Sequence, residues 1–236
     1  MKYLTITLIF LCLNSIGIGQ DLEIGKVKVL LKAYQEDKSA AALDDVVDAT
    51  EALFDTEEAS TNGIALYLKA EVLKEQLLSP YYETPEALDV FLKDVIDTYS
   101  GALIYDRMDK NRYNILLQLY EVKQALTTKG SEYYTGEKLD IAYLYYNAAT
   151  EINEVEIKFP RIARPDTSTI YTAAVVARLA EKDNEAIEKF EQVIDLEYYR
   201  SDAYDQLIQL YKKHKYDVKA RKLEIKKNKM FPPEQQ

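Results

Sequence analysis

Few side chains in this 236-residue chain combine the chemistry and the spacing that catalysis needs. His214 is the single histidine. It sits in Lys212-Lys213-His214-Lys215, where three ammonium groups disfavour a bound cation, so it is expected in a surface turn between two helices. A zinc site or a Cys/His nucleophile needs a second histidine or a thiol, and the one cysteine, Cys12, lies in an apolar leader. Asp44, Asp45 and Asp48 fall on one helix, and Asp94 and Asp97 on another. Paired carboxylates serve glycoside hydrolysis when a pocket raises the pKa of one of them; a solvated helix face supplies neither. The Asp-rich loop around a central glycine that binds calcium is missing, as is a glycine-rich phosphate loop. No catalytic, metal-binding or cofactor-binding residue is assigned, no cofactor is expected, and the chain reads as a non-enzyme.

Tyrosine is the compositional peculiarity, with 20 residues. The doublets Tyr81-Tyr82, Tyr133-Tyr134 and Tyr198-Tyr199 fall in expected turns. There, large rings with a hydrogen-bonding tip could form binding surface or pack under loops.

The elements that position these groups read as helices throughout. Glycine (7) and proline (6) are scarce, and the helix formers Ala, Leu, Glu and Lys abound. Net charge is −10, which repels phosphates and points away from nucleic acid. From Lys212 onward nine Lys/Arg stand against three Asp/Glu. That basic end is either a solvated terminal helix or a patch that docks on an acidic surface, and self-association through it is possible. At the other end, Met1-Lys2 precedes a nearly unbroken apolar run from Leu4 to Ile18, and Gly17 and Gly19 sit at −3 and −1 of a cut before Gln20. The expectation is a signal peptide over 1–19 and export across the inner membrane to the periplasm or beyond. No transmembrane segment is expected in the mature chain.

Along the chain, Val27-x2-Leu30-Leu31-x2-Tyr34 marks one helical face and Ala42-x3-Val46-x2-Ala49 the next. Glu57–Asn62 reads as a polar turn, and Ile64–Lys74 as a helix with Ile64, Tyr67 and Leu68 inward. Thr84-Pro85-Glu86-Ala87 has the cap and proline of a helix start. That helix carries Ala87 and Phe91 on its inner face and is expected to end at Ser100-Gly101. A helix over Asp109–Leu126 puts Tyr113, Leu116, Leu117 and Tyr120 on the core face, and Thr127–Gly136 is expected as a loop. A further helix carries Ala142, Tyr146 and Ala149. A connector follows around Phe159-Pro160 and Arg164-Pro165, with Asp166 or Thr167 as the next cap.

Over 167–234 two windows of 34 residues repeat, beginning at Thr167 and Ser201. Ala186-x3-Phe190-x2-Val193 opens the second helix of one, and Tyr204-x2-Leu207-Ile208-x2-Tyr211, then Ala220 and Pro232, mark the other. This pattern resembles the tetratricopeptide repeat family. The resemblance is good over 167–234, fair over 110–154 and weak over 22–100. It departs where Leu31, Leu117 and Ile208 stand at a small-residue position, and where Glu224 and Lys227 stand in the last helix. The resemblance implies an all-α, right-handed α-solenoid of about five antiparallel helix pairs. The expected divisions are divergent pairs over 20–100, a central pair over 101–166 and two C-terminal repeats over 167–236, the last helix acting as a cap.

In that family the first helix of each pair lines a concave groove. Carried onto this chain, the groove receives Asn111, Asn114, Gln118 and Glu121, then Tyr171, Val175 and Arg178, then Asp202, Asp205, Gln209 and Lys212, with Lys28, Lys32 and Gln35 from the first helix. Such a lining suits a protein or peptide partner held by polar contacts. The implied function is an exported, non-catalytic adaptor; the alternative is an all-α envelope protein or enzyme that grips a glycan or small ligand.

Overall fold

A computed structural model describes residues 2–78, 84–106, 110–158, 166–198 and 200–232, with side chains from residue 20 onward apart from residue 157. Among these residues the chain is all α. The helices are α1 (Lys2–Asp37), α2 (Ala40–Phe54), α3 (Gly63–Leu78), α4 (Pro85–Tyr105), α5 (Arg112–Thr135), α6 (Leu139–Lys158), α7 (Thr167–Leu179), α8 (Asp183–Asp195), α9 (Ser201–Lys213) and α10 (Asp217–Met230). The polar turn after α2 is a short 3-10 turn, Glu57–Thr61. No described helix is long and apolar enough to cross a membrane. The connector around Phe159 to Pro165, the doublet Tyr81-Tyr82 and Tyr199 lie outside the described residues.

Local chemistry sets the helix starts. Ser39 Oγ accepts the Ala42 N–H at 3.2 Å, Asn62 Oδ1 accepts Ile64 and Ala65, and Thr84 Oγ1 accepts Ala87 ahead of Pro85. Asp166 caps α7 through Ser168 and Thr169. These side chains satisfy N–H groups that a helix leaves orphaned in its first turn.

The chain divides into two compact units, Met1–Glu83 with Val90–Glu121, and Thr84–Asp89 with Val122–Gln236. In the first, α1 packs on α2 and α2 on α3, burying Val27, Leu31, Tyr34, Val46, Ala49, Leu53 and Leu68. Gly63 lies against the end of α4, where a Cβ would come within 2.8 Å of the Tyr105 carbonyl oxygen. In the second, α6 to α10 pack in chain order. Their core holds Ala142, Tyr146, Ala173, Ala174, Ala177, Ala186, Phe190, Val193, Tyr204, Leu207, Ile208 and Tyr211.

The 34-residue spacing is present in the backbone. The starts of α7 and α9, Thr167 and Ser201, stand 34 residues apart, and so do those of α8 and α10, Asp183 and Asp217. The turns repeat as well. Lys182 N–H donates to the Ala177 carbonyl at 2.9 Å, and Tyr216 N–H to the Tyr211 carbonyl at 2.7 Å. Glu181 and Lys215, 34 apart, both adopt φ of 59°. This is the helix-ending motif usually given to glycine.

Several expectations are corrected. Thr127–Gly136 is not a loop, because α5 continues to Thr135. Gly130 marks a close approach there, since a Cβ would lie 3.0 Å from the Tyr146 ring. Gly101 does not end α4, which runs on to Tyr105 with Ala102 and Leu103 buried. The buried face of α5 is Ile115, Leu119, Val122 and Leu126, whereas Tyr113 is 67% exposed and Leu117 and Tyr120 are 46% exposed. Ile64 and Ala87 are exposed too, and Phe91 is half-buried; Leu66, Leu88 and Leu92 take the inner positions. Two stripes of the same helical period run along α5, set two residues and so about 200° apart. The aliphatic stripe turns inward and the stripe carrying hydroxyl tips stays out.

Two measurements test this account. Glu156 is buried and paired with Lys123 at 2.7 Å. Lys123→Ala strands a buried carboxylate, and chemical denaturation should show a loss of about 3–5 kcal/mol. Glu181→Gly relieves a left-handed conformation that costs a non-glycine residue about 1 kcal/mol, so its denaturation midpoint should rise.

Candidate interaction surface

Positions 171, 175 and 178 on α7 recur at intervals of three and four, as do 202, 205 and 209 on α9, so each set forms one stripe. Tyr171 joins the two: its hydroxyl donates to Asp202 Oδ2 at 2.7 Å. Arg200, on the connector before α9, completes the cluster. It pairs with Asp202 at 2.9 Å and lies 5.0 Å over the Tyr171 ring. Tyr198 packs on the same ring at 5.5 Å and Phe190 meets it edge-on at 6.0 Å.

The electrostatics follow from these contacts. Burial, then the hydrogen bond to Asp202, pushes the Tyr171 hydroxyl up to about 12. Partial burial raises the Asp202 carboxyl, but the bonds from Tyr171 and Arg200 outweigh it and hold the group below the usual aspartate range. Arg178 is half-buried, with its Nε lacking an acceptor among the described residues, and Gln209 is exposed. Asp205 and Lys212 are taken by the last helix: Lys227 Nζ reaches Asp205 at 2.7 and 2.8 Å, and Lys212 reaches Glu224 at 2.5 Å. The polar residues that depart from the repeat pattern in α10 therefore clamp it onto α9.

The α5 residues have a different setting. Gln118 and Glu121 both accept from Lys74 on α3, Glu121 at 3.0 Å, and Gln118 also approaches Glu71 at 3.4 Å. Asn111 precedes α5, its backbone N–H donating to Asp106 Oδ2 at 2.7 Å, and Asn114 is exposed. Lys28, Lys32 and Gln35 are exposed on α1. The structure thus brings Tyr171 to Asp202, and Gln118 to Glu121 through Lys74. Arg200 and Lys74 were not among the sequence expectations, whereas Tyr198 was expected in a turn, as binding surface or packed under a loop, and packs on the Tyr171 ring. Arg200 lies on a connector with no helical period to place it, and Lys74 meets its partners across 44 and 47 residues of chain.

Other candidate chemistry is dispersed. His214 is a half-buried helix end: its Nε2 meets Asp183 at 2.7 Å and its ring stacks on Tyr216. Among the described residues no group of three His, Cys, Asp or Glu side chains could hold a metal ion. Burial lifts the carboxyls of Glu71 and Glu151, on α3 and α6. Neither lines the cleft of about 410 Å³ bounded by Val47, Glu51, Phe54, Asp55, Lys69, Val72 and Asp94.

No protein-family model matches the chain. No curated protein matches it either. Among solved structures, one described as "Functional Characterization of Pseudomonas Aeruginosa pilF" is 15% identical and covers 87% of this chain and 75% of its own, with a TM-score of 0.34. A likeness that loose carries no argument about this chain.

Acid stability offers a check on the α8–α9 contacts. Asp183 is held below the usual aspartate range by the hydrogen bond from Lys213, which outweighs the upward push of burial, with His214 adding to the lowering. A lowered folded pKa stabilises the fold above the unfolded pKa, and that contribution is lost as pH falls through the folded value. Asp183→Asn should therefore lower stability at neutral pH and flatten its decline below about pH 4, the ordinary aspartate value, in unfolding curves taken across the acid range.

Proposed function

We propose that this chain is an exported helical-repeat adaptor of tetratricopeptide type, which binds a protein or peptide partner without catalysis. The carrying observation is the paired stripes of α7 and α9, built at a 34-residue spacing and joined by the Tyr171–Asp202 hydrogen bond. Partner helices and extended peptides bind to helix faces that are held rigid and lined with unspent polar groups. Arg178 and Gln209 are such groups. Asn111, Asn114, Gln118 and Glu121, the corresponding expected positions on α5, belong to the first unit and stand by themselves. The leader supports export, with processing before Gln20.

Capture from envelope extract tests the adaptor. Arg178→Ala with Gln209→Ala leaves the core intact, so circular dichroism should match the parent while a bound partner is lost at least tenfold. Capture of the same proteins by both forms counts against the surface. Terminal sequencing of the protein from fractionated cells should read from Gln20; an intact Met1 in the cytoplasmic fraction removes the export proposal.

A further inference from the structure

One face of α10 is covered by nothing among the described residues. Four cations of α9 and α10 are paired: Lys212 with Glu224, Lys213 with Asp183, Lys219 with Glu191 and Lys227 with Asp205. Arg221, Lys222, Lys226 and Lys229 are exposed, and none forms an ion pair among the described residues. Val218 and Ile225 stand among them, 71% and 66% exposed. Spacings of three and four place all six on one stripe, about 16 Å long at the rise of a helix.

The opposite charge is gathered on α2. From residue 39 to residue 68 there are seven Asp/Glu and no Lys/Arg. Asp44, Asp48, Glu51 and Asp55 recur at i, i+4, i+7 and i+11, all exposed and none in an ion pair among the described residues. That stripe is also about 16 Å long. Beside it Val47 and Phe54 are half-buried and wall the 410 Å³ cleft, with Val72 and Leu73 behind them and Lys69, neutralised by Asp94 at 2.8 Å, on its polar side. Each face thus sets a row of unneutralised charge against a short apolar seam, with opposite sign and equal length.

We infer that α10 of one copy docks on the α2 face of a second copy, with Val218 and Ile225 meeting the cleft and the two rows of charge facing each other. The joined faces differ, so the contact is head-to-tail and leads to a ring or an open string of copies. An anionic bilayer fits less well. The chain carries a net charge of −10, and two aliphatic side chains give too little apolar area to insert. The contact uses faces other than the α7 and α9 stripes, so its failure leaves the adaptor proposal standing.

Sedimentation velocity on the purified protein tests this. At about 20 mM salt the average mass should rise with protein concentration, and at about 1 M, where screening acts within about 3 Å, it should fall to that of a single chain. Lys222→Gln with Lys226→Gln, and separately Asp48→Asn with Glu51→Gln, should each weaken self-association at least tenfold while circular dichroism is unchanged. An equimolar mixture retains one good face of each kind, so it should form dimers and nothing larger. A wild-type protein that stays a single chain at low salt overturns the proposal. So does association insensitive to either variant, or sensitive to the α10 variant alone. Binding to phosphatidylglycerol vesicles without self-association does the same and assigns the cationic face to a membrane.

Discussion

Phe190 needs cover from two sides, and the C-terminal unit is arranged around that need. It stands on α8, fully buried, with α7 packed on one flank and α9 on the other. Burying such a side chain is worth about 1.5–3 kcal/mol, and neither neighbour could supply the cover alone. Small residues make the approach possible: Ala173, Ala174 and Ala177 on α7 and Ala186 on α8 are fully buried. At the end of the unit α10 has a neighbour on one side only. It buries just Ala220 and Leu223, and its inner polar groups are spent on α9.

The many tyrosines follow from the same packing. A ring buried between helices carries its hydroxyl outward to the edge of the layer, where a carboxylate accepts it. Tyr171 reaches Asp202 on the helix after next, and Tyr211 reaches back to Glu191 at 2.5 Å. Within α3, Tyr67 reaches Glu71 at 3.0 Å. Burial and the neighbouring carboxylate both raise these phenols, and at Asp202 and Glu191 the phenol in turn helps to lower its acceptor. Tyrosine thus contributes core area and a polar tie between helices in one residue.

Charge follows a separate logic. Pairs between helices neutralise much of the surface, as Lys69 does with Asp94 and Lys38 with Glu75. Two stretches escape this pairing, one acidic on α2 and one basic on α10. Exposed charges of one sign contribute little to the fold that carries them, and the proposed contact between copies would neutralise both rows.

Much of this architecture was legible in the residues. Ser39, Thr84-Pro85 and Asp166 announce helix starts because capping is local chemistry. The 34-residue repeat from Thr167 survives in the turns at Glu181 and Lys215, although the residues there differ, because the helices they join start at the same spacing and end with the same backbone hydrogen bonds. The candidate surface was half legible. The positions on α7 and α9 follow from period, but Arg200 and Lys74 join their partners only through packing. On α5, Tyr113, Leu117 and Tyr120 share their period with Ile115, Leu119 and Val122, so spacing alone could not choose the inward face. Gly101 and Gly130 likewise read as breaks, although each lies within a helix, and Gly130 lets the Tyr146 ring approach. Periodicity, caps and the repeat were determined by the sequence itself, since each depends on residues within a few turns of one another. Which stripe is buried, and whether a glycine ends a helix or admits a neighbour, was decided by tertiary structure, because both depend on what a distant segment presents across the gap.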